Sequence, residues 1–134
     1  MLELKDIQQN LQQFTGTNQY YRNRTGDFNY TDGIQWLAKN AECYWLIDLI
    51  ASYQITLRKL PKNTNFQLWI LVTTDEHKVI KRRKDHQAVV ECWADTPIAG
   101  QLPLVRKHIP FTDFPLPEIK LYLENGVLML PSER

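Results

Sequence analysis

The spacing of apolar residues changes near the middle of the chain. Before Pro61 the apolar positions recur three or four residues apart, which is typical of helices that bury one face. This spacing predicts a first helix over residues 4–14, ended by Gly16. After Asn63 apolar and polar residues alternate, which is typical of β-strands.

Two further helices are predicted before this change. Thr31 is a good N-cap, and Asp32 in the next turn suits the positive end of the helix dipole, so a helix should run from here to Ala41. Residues 43–53 are apolar at nearly every position, which predicts a helix buried on all sides at the centre of the fold. Asp48 is the one acidic residue within it.

Alternation predicts strands over residues 66–73 and 88–93, with a third over 104–109. Residues 78–85, between the first two strands, are strongly charged. They are predicted to form a long, solvated hairpin tip.

The clearest element is a hairpin near the end of the sequence. Asn125 and Gly126 are the preferred pair for a two-residue type I′ turn. That turn places four leucines on one side of the ribbon, namely Leu121, Leu123, Leu128 and Leu130. The other side receives Lys120, Tyr122, Glu124 and Met129. Because the register separates apolar from polar residues so cleanly, we predict that the leucines face the core.

Helices followed by strands with short connections predict an α+β fold. We expect N-terminal helices packed on one face of a four- to five-stranded antiparallel sheet that ends in the tight hairpin. Residues 18–24 are too polar for a helix and are predicted to be extended, with a turn at Gly26. The length of 134 residues, without a repeat or linker, indicates a single domain over residues 1–134.

Composition and charge limit the partners and the cellular location that the sequence predicts. The net charge of +1 provides no global field for nucleic acid or acidic membranes, which disfavours both as partners. No apolar run is long enough to span a bilayer, and the N-terminus lacks the pattern of a secretion signal. Cys43 and Cys92 lie in apolar company without framework spacing, which indicates free buried thiols in a reducing compartment. We therefore expect a cytoplasmic protein.

Several stretches form a distinctive combination: TGT at 15–17 leading to YYR at 20–22, YTDG at 30–33, YWLID at 44–48 with ASYQ at 51–54, FTDFPL at 111–116, and VLMLPSE at 127–133. Through them nearly the whole chain resembles an uncharacterised bacterial family, frequent in cyanobacteria, that is carried as a domain of unknown function. The charged run over residues 81–84 departs from that pattern. The resemblance assigns no activity and no catalytic role to any residue.

Asp48 is the candidate catalytic residue, because a carboxylate in a buried helix is costly unless paired and is enriched at functional sites. The alternative is a structural aspartate held by a donor of the segment that carries Tyr20, Tyr21, Arg22 and Arg24. We favour this alternative, because paired carboxylates are common in ordinary cores.

The same four residues, Tyr20, Tyr21, Arg22 and Arg24, are candidates for binding. Single-stranded nucleic acid stacks on tyrosines while arginines hold its phosphates. Neighbouring residues of a strand face opposite ways, however, so the two tyrosines cannot form one platform. One tyrosine in the core with arginines at the rim is the simpler interpretation.

A second candidate for binding is the basic run Lys81, Arg82, Arg83 and Lys84, which could hold a polyanion. We favour a solvated tip that discourages edge-to-edge aggregation. Possible metal ligands occur at His77, His86, His108, Asp75, Glu76 and Asp85, but without a recognised spacing. We expect no metal site and no cofactor.

Two functions stay open. The first is a non-catalytic interaction or regulatory module that binds a protein partner or self-associates. The second is a small enzyme, acting on nucleic acid, that uses Asp48 with Arg22 or Arg24. An enzyme should present Asp48 at the floor of an open cleft with polar groups converging on it, whereas a module should bury it with a partner.

Overall fold

A computed structural model describes residues 4–25, 27–61 and 65–134 of the chain. The helices are α1 (Leu4–Leu11), α2 (Asp32–Asn40), α3 (Tyr44–Ser52) and α4 (Gln54–Arg58), with a 3₁₀ turn at Pro131–Glu133. The strands are β1 (Tyr21–Arg22), β2 (Asn29–Tyr30), β3 (Phe66–Val72), β4 (Ala88–Trp93), β5 (Val105–Ile109), β6 (Glu118–Glu124) and β7 (Val127–Met129). The turn predicted at Gly26 and the change of spacing predicted at Asn63 lie outside the described residues.

The α+β class is confirmed, but the predicted sheet of four to five antiparallel strands was too small. Within the described residues the strands form one seven-stranded sheet in the order β1-β2-β7-β6-β3-β4-β5. The sheet is mixed, because β2 and β7 are parallel while the other neighbours are antiparallel. Strands β1 and β2 have two residues each, too few for alternation to be visible in the sequence.

The main core lies between the helices and one face of the sheet, which we call the inner face. The helices contribute Ile7, Ile34, Leu37, Leu46 and Ile50, all buried. The inner face contributes Trp69, Leu71, Val90, Cys92, Leu121, Leu123 and Leu128. The fold therefore explains the alternation of residues in the strands, because every second side chain packs against the helices.

The opposite, outer face of the sheet carries a second apolar cluster, and the charged segment between β3 and β4 covers it. Leu68, Ile70, Val89 and Trp93 form this cluster with Ile80, which is completely buried. The predicted solvated tip is thus correct only in part, because Lys81, Arg83 and Lys84 are exposed whereas Ile80 is buried against the sheet. The outer face needs an apolar cover, and one isoleucine within the charged run provides it.

The prediction that α3 is buried on all sides is wrong. Tyr44 and Ser52 are exposed, and the Asp48 side chain between them retains 40% of its accessibility. These residues lie four apart and form one solvent-facing stripe of the helix. The helix is buried only on its remaining sides, through residues such as Leu46 and Ile50.

The C-terminal hairpin has the predicted register. Leu123 is paired with Leu128, and Tyr122 is paired with Met129. The turn residues Asn125 and Gly126 both have positive φ, 51° and 79°, as a type I′ turn requires. The four leucines, Leu121, Leu123, Leu128 and Leu130, are all buried.

The C-terminal 3₁₀ turn is attached to the start of α2 by Glu133. The predicted N-cap Thr31 accepts a hydrogen bond from the Ile34 amide at 3.3 Å, and its hydroxyl donates to Glu133 Oε1 at 2.6 Å. The Gly33 amide donates to Glu133 Oε2 at 3.1 Å. A carboxylate here satisfies free amides of the helix and lies at the positive end of its dipole.

We expect Gly33→Ala to destabilise the protein by about 1–3 kcal/mol, because the Glu133 side chain can move away only by losing its hydrogen bonds from Thr31, Gly33 and Leu130. A Cβ at this position would lie 2.5 Å from Glu133 Oε1 and 2.6 Å from Leu130 Cδ1. Gly16→Ala is the matched control, since its Cβ would meet nothing within 4 Å. Urea denaturation checks the pair, and equal midpoints for the two variants would contradict the attachment.

Candidate functional site

An open cleft of about 250 Å³ lies where the β1–β2 edge of the sheet meets α3. We call it the edge cleft, and it is lined by Arg22, Asn23, Arg24, Tyr30, Tyr44, Ile47 and Asp48. Three of the residues singled out from the sequence, Arg22, Arg24 and Asp48, therefore line one cavity although they come from separate elements.

A short turn after β1 positions the basic wall of the cleft. Asn23 is buried, and its Oδ1 accepts hydrogen bonds from the amide and the hydroxyl of Thr25. The Asn23 amide donates to the Phe28 carbonyl at 3.0 Å. Asparagine favours such turns because its side chain can replace a backbone acceptor. The turn thus fixes the backbone on both sides of Arg24.

The two walls are joined by an ion pair between Arg24 and Asp48. Arg24 Nη2 lies 2.7 Å from Asp48 Oδ2, while the two side chains keep 80% and 40% of their accessibility. We predicted that Asp48 pairs with a donor of the residue 20–24 segment. This prediction is confirmed, and the donor is Arg24. The expected burial of the pair is wrong.

The tyrosines of this region have separate positions. Tyr20 is exposed and does not line the cleft. Tyr21 stacks on Tyr30 across the β1–β2 pair, with ring centroids 5.6 Å apart and planes inclined by 19°. Burial raises the pKa of Tyr30, and the neighbouring Tyr44 and Asp48 raise it further. Tyr30 therefore stays a neutral hydrogen-bond donor in the cleft at physiological pH.

Asp32 holds the chain that leads into β1. Its Oδ2 accepts hydrogen bonds from the amides of Asn18 at 2.8 Å and Gln19 at 3.4 Å. The Asn18 amide is the main cause that lowers the pKa of Asp32. The sequence identified Asp32 only as a helix-dipole residue, whereas it also fixes the approach to the edge cleft.

The basic run is far from the cleft in the fold and lies on the outer face. Arg82 is partly buried, with Nε 3.0 Å from Asp75 Oδ1 and Nη1 donating to the His86 carbonyl at 2.9 Å. Lys81 Nζ donates to the Asp75 carbonyl at 3.2 Å, whereas Arg83 and Lys84 are exposed. Two of the four basic residues, Lys81 and Arg82, thus bind other residues between β3 and β4.

The model of a family of unknown function, DUF6876, matches residues 5–134. The chain belongs to this family. Every residue of the edge cleft lies within the matched range. No curated protein and no solved structure matches the chain significantly.

The outer face of the sheet carries a buried charged residue that was not singled out from the sequence. Glu91 is almost completely buried in β4, where its carboxylate accepts a hydrogen bond from the Trp93 indole at 2.8 Å and pairs with Arg106 Nε at 2.8 Å. Alternation places Glu91 on the side of β4 that faces away from the helices. Its charge is stabilised by Arg106, whose side chain reaches from the edge strand.

The histidines and cysteines do not form a metal site within the described residues, where no group of three or more possible ligands lies close together. His108 packs against His86, and burial, followed by the Arg83 charge, lowers the pKa of His108. Cys43 and Cys92 are free and buried. Burial raises the pKa of Cys43 to about 12 and that of Cys92 also upward, which makes both thiols poor nucleophiles. No helix of the described residues has the length and apolarity to span a membrane.

Proposed function

We propose that the protein is a non-catalytic interaction module that binds a protein partner through the edge cleft. The proposal rests on one observation: the cleft is open and its mouth presents the exposed Arg24–Asp48 pair beside the exposed Tyr44. Arginine and tyrosine are enriched among residues that dominate binding energy at protein interfaces. Rigid aromatic rings also lose little entropy when a partner binds.

The ion pair between Arg24 and Asp48 contributes little to the stability of the fold. An exposed pair contributes at most about 1 kcal/mol to folding, because water and salt screen it. The same pair presents both donors and acceptors to a partner, with Asp48 held in place by the guanidinium of Arg24. Its contribution to recognition would grow when a partner excludes water from the cleft.

A second candidate function is a small enzyme that acts on nucleic acid. It is supported by the accessible carboxylate of Asp48, which shares an open cleft with Arg22 and Tyr30. In such an enzyme Asp48 would act as the general base and Arg22 would bind a phosphate. We favour the module, because Arg24 already occupies Asp48 Oδ2 at 2.7 Å.

We further propose that the module is a bacterial protein that acts in the cytoplasm. Two free thiols, Cys43 and Cys92, support a reducing compartment.

Site-specific photo-crosslinking in the native host tests the proposal. In one variant a photoreactive phenylalanine derivative replaces Tyr44 in the edge cleft. In the matched control it replaces Phe111, which follows β5 at the opposite edge of the sheet. Phe111 is 82% exposed, so it has at least equal access to other proteins. We expect the probe at position 44, but not the probe at position 111, to give a discrete crosslinked protein. This crosslinked product should disappear when Arg22→Glu and Arg24→Glu are introduced into the variant with the probe at position 44.

The same band pattern from both positions, or no adduct from position 44, would contradict the module. Hydrolysis of single-stranded DNA or RNA by the purified protein, abolished by Asp48→Asn, would instead establish the enzyme. The two functions are therefore separated by two different measurements on the edge cleft.

A further inference from the structure

The sheet has an unpaired section in its interior. Strand β6 pairs with β3 along its whole length, from Glu118 to Glu124. On its other side β7 pairs only with residues 122–124. Within the described part of the chain, residues 118–120 of β6 therefore have no strand beside them on the β7 side. We call this section the open edge.

The hydrogen bonds at the ends of β6 show which backbone groups face the open edge. The Asn125 amide donates to the Asn65 carbonyl, and the Thr73 amide donates to the Pro117 carbonyl. Odd-numbered residues of β6 therefore direct their backbone groups to β3, since these directions alternate along an antiparallel strand. It follows that the N–H and C=O groups of Glu118 and Lys120 point into the open edge.

Proline explains why β7 stops. Continuing the register in which Tyr122 pairs with Met129 would place Pro131 opposite Lys120. Proline has no N–H and cannot continue the ladder there. The chain instead turns into the 3₁₀ turn, and Glu133 attaches it to the start of α2.

An apolar pocket of about 310 Å³ adjoins the open edge. Leu11 at the end of α1 lies on one side of it, and Leu116 and Ile119 lie on another. Leu130 and Pro131 also line it, where β7 would have continued. The volume is at the lower end of the range for ligand pockets and suffices for a large apolar side chain.

We propose that the open edge binds an extended peptide segment of a partner protein, which adds as a short strand beside β6 and inserts one apolar side chain into the pocket. Backbone donors and acceptors that recur every second residue, at Glu118 and Lys120, match an extended chain. Side chains of such a strand point alternately to the two faces, so one of them meets the pocket formed by Leu11 and Leu130. The inference does not depend on the edge cleft, which lies at a different place in the fold.

Peptide selection with a backbone variant tests this inference. A library of random eight-residue peptides is selected on the intact protein, and the affinities of the enriched peptides are measured for Lys120→Pro and Lys120→Ala. Proline removes one of the two amides that face the open edge and leaves the bonds of β6 to β3, whereas alanine keeps that amide. We expect Lys120→Pro to bind the peptides about tenfold more weakly than Lys120→Ala, since both variants lack the lysine side chain and differ by one backbone hydrogen bond.

A second measurement covers the case in which Lys120→Pro does not fold. Single N-methyl groups are placed in turn on the amides of an enriched peptide that binds the parent protein. We expect alternate positions to lose affinity about tenfold, because only every second amide of an added strand faces β6. Failure to enrich a peptide, equal binding by the proline variant, or loss of affinity without alternation would overturn the inference.

Discussion

Leu123→Lys is expected to abolish cooperative folding. Leu123 lies in the middle of the inner face, where it is 4% exposed and pairs with Leu128 in β7 and Gln67 in β3. Removing a buried leucine side chain alone costs about 2–5 kcal/mol, and an unpaired buried ammonium group adds several more. That sum reaches the whole stability of a typical domain of about 5–15 kcal/mol. Circular dichroism and urea denaturation would show the loss.

The neighbouring Glu124→Lys provides the matched control. Glu124 faces the outer side, where its carboxylate pairs with Arg134 Nε at 3.0 Å. Losing this surface pair is expected to change stability by at most about 1 kcal/mol. The two variants introduce the same side chain one residue apart, so only the register distinguishes them. Equal melting temperatures for both would show that the leucines do not face the core.

The hairpin could be predicted because its determinants are local. Asn125 and Gly126 select the turn, the turn sets the register, and the register sorts the side chains. The N-cap at Thr31 was predictable for the same reason, since it depends on the three residues that follow. Neither prediction required knowledge of how distant parts of the chain pack.

The exposure of Asp48 could not be predicted, because it depends on the extent of the helix layer. Apolar composition suggested a helix enclosed on all sides, yet no other element of the described residues covers the stripe from Tyr44 to Ser52. A helix on the outside of a two-layer fold keeps one side in solvent however apolar its sequence. The pairing of Asp48 with the residue 20–24 segment could be predicted, because that segment is rich in hydrogen-bond donors.

The outer face eluded prediction for a related reason. Ile80 is surrounded by lysines and arginines in sequence, so its burial follows only from the apolar surface that it covers. The open edge likewise depends on where β7 ends relative to β6, which no local pattern reveals. The burial of Ile80 and the open edge of β6 therefore depend on long-range packing and on strand length, which a local sequence pattern does not show.

Arg106→Ala is expected to be the most destabilising change at an exposed position. Its guanidinium is the cationic partner of Glu91, whose side chain is 2% exposed, at an Nε–Oε2 distance of 2.8 Å. Without it, the Trp93 indole is the remaining donor to a buried carboxylate. Breaking a fully buried pair costs about 3–5 kcal/mol, and we expect about 2 kcal/mol here because the arginine side chain is 44% exposed.

The adjacent Lys107→Ala is the matched control, since Lys107 is exposed on the same edge strand and is expected to change stability by less than about 0.5 kcal/mol. Adding Glu91→Gln to Arg106→Ala should restore much of the lost stability, because the amide removes the uncompensated charge while it can still accept from the Trp93 indole. Urea denaturation of the three variants measures these differences. If Arg106→Ala is as stable as Lys107→Ala, the ion pair does not compensate the buried charge of Glu91, and the indole of Trp93 alone must suffice.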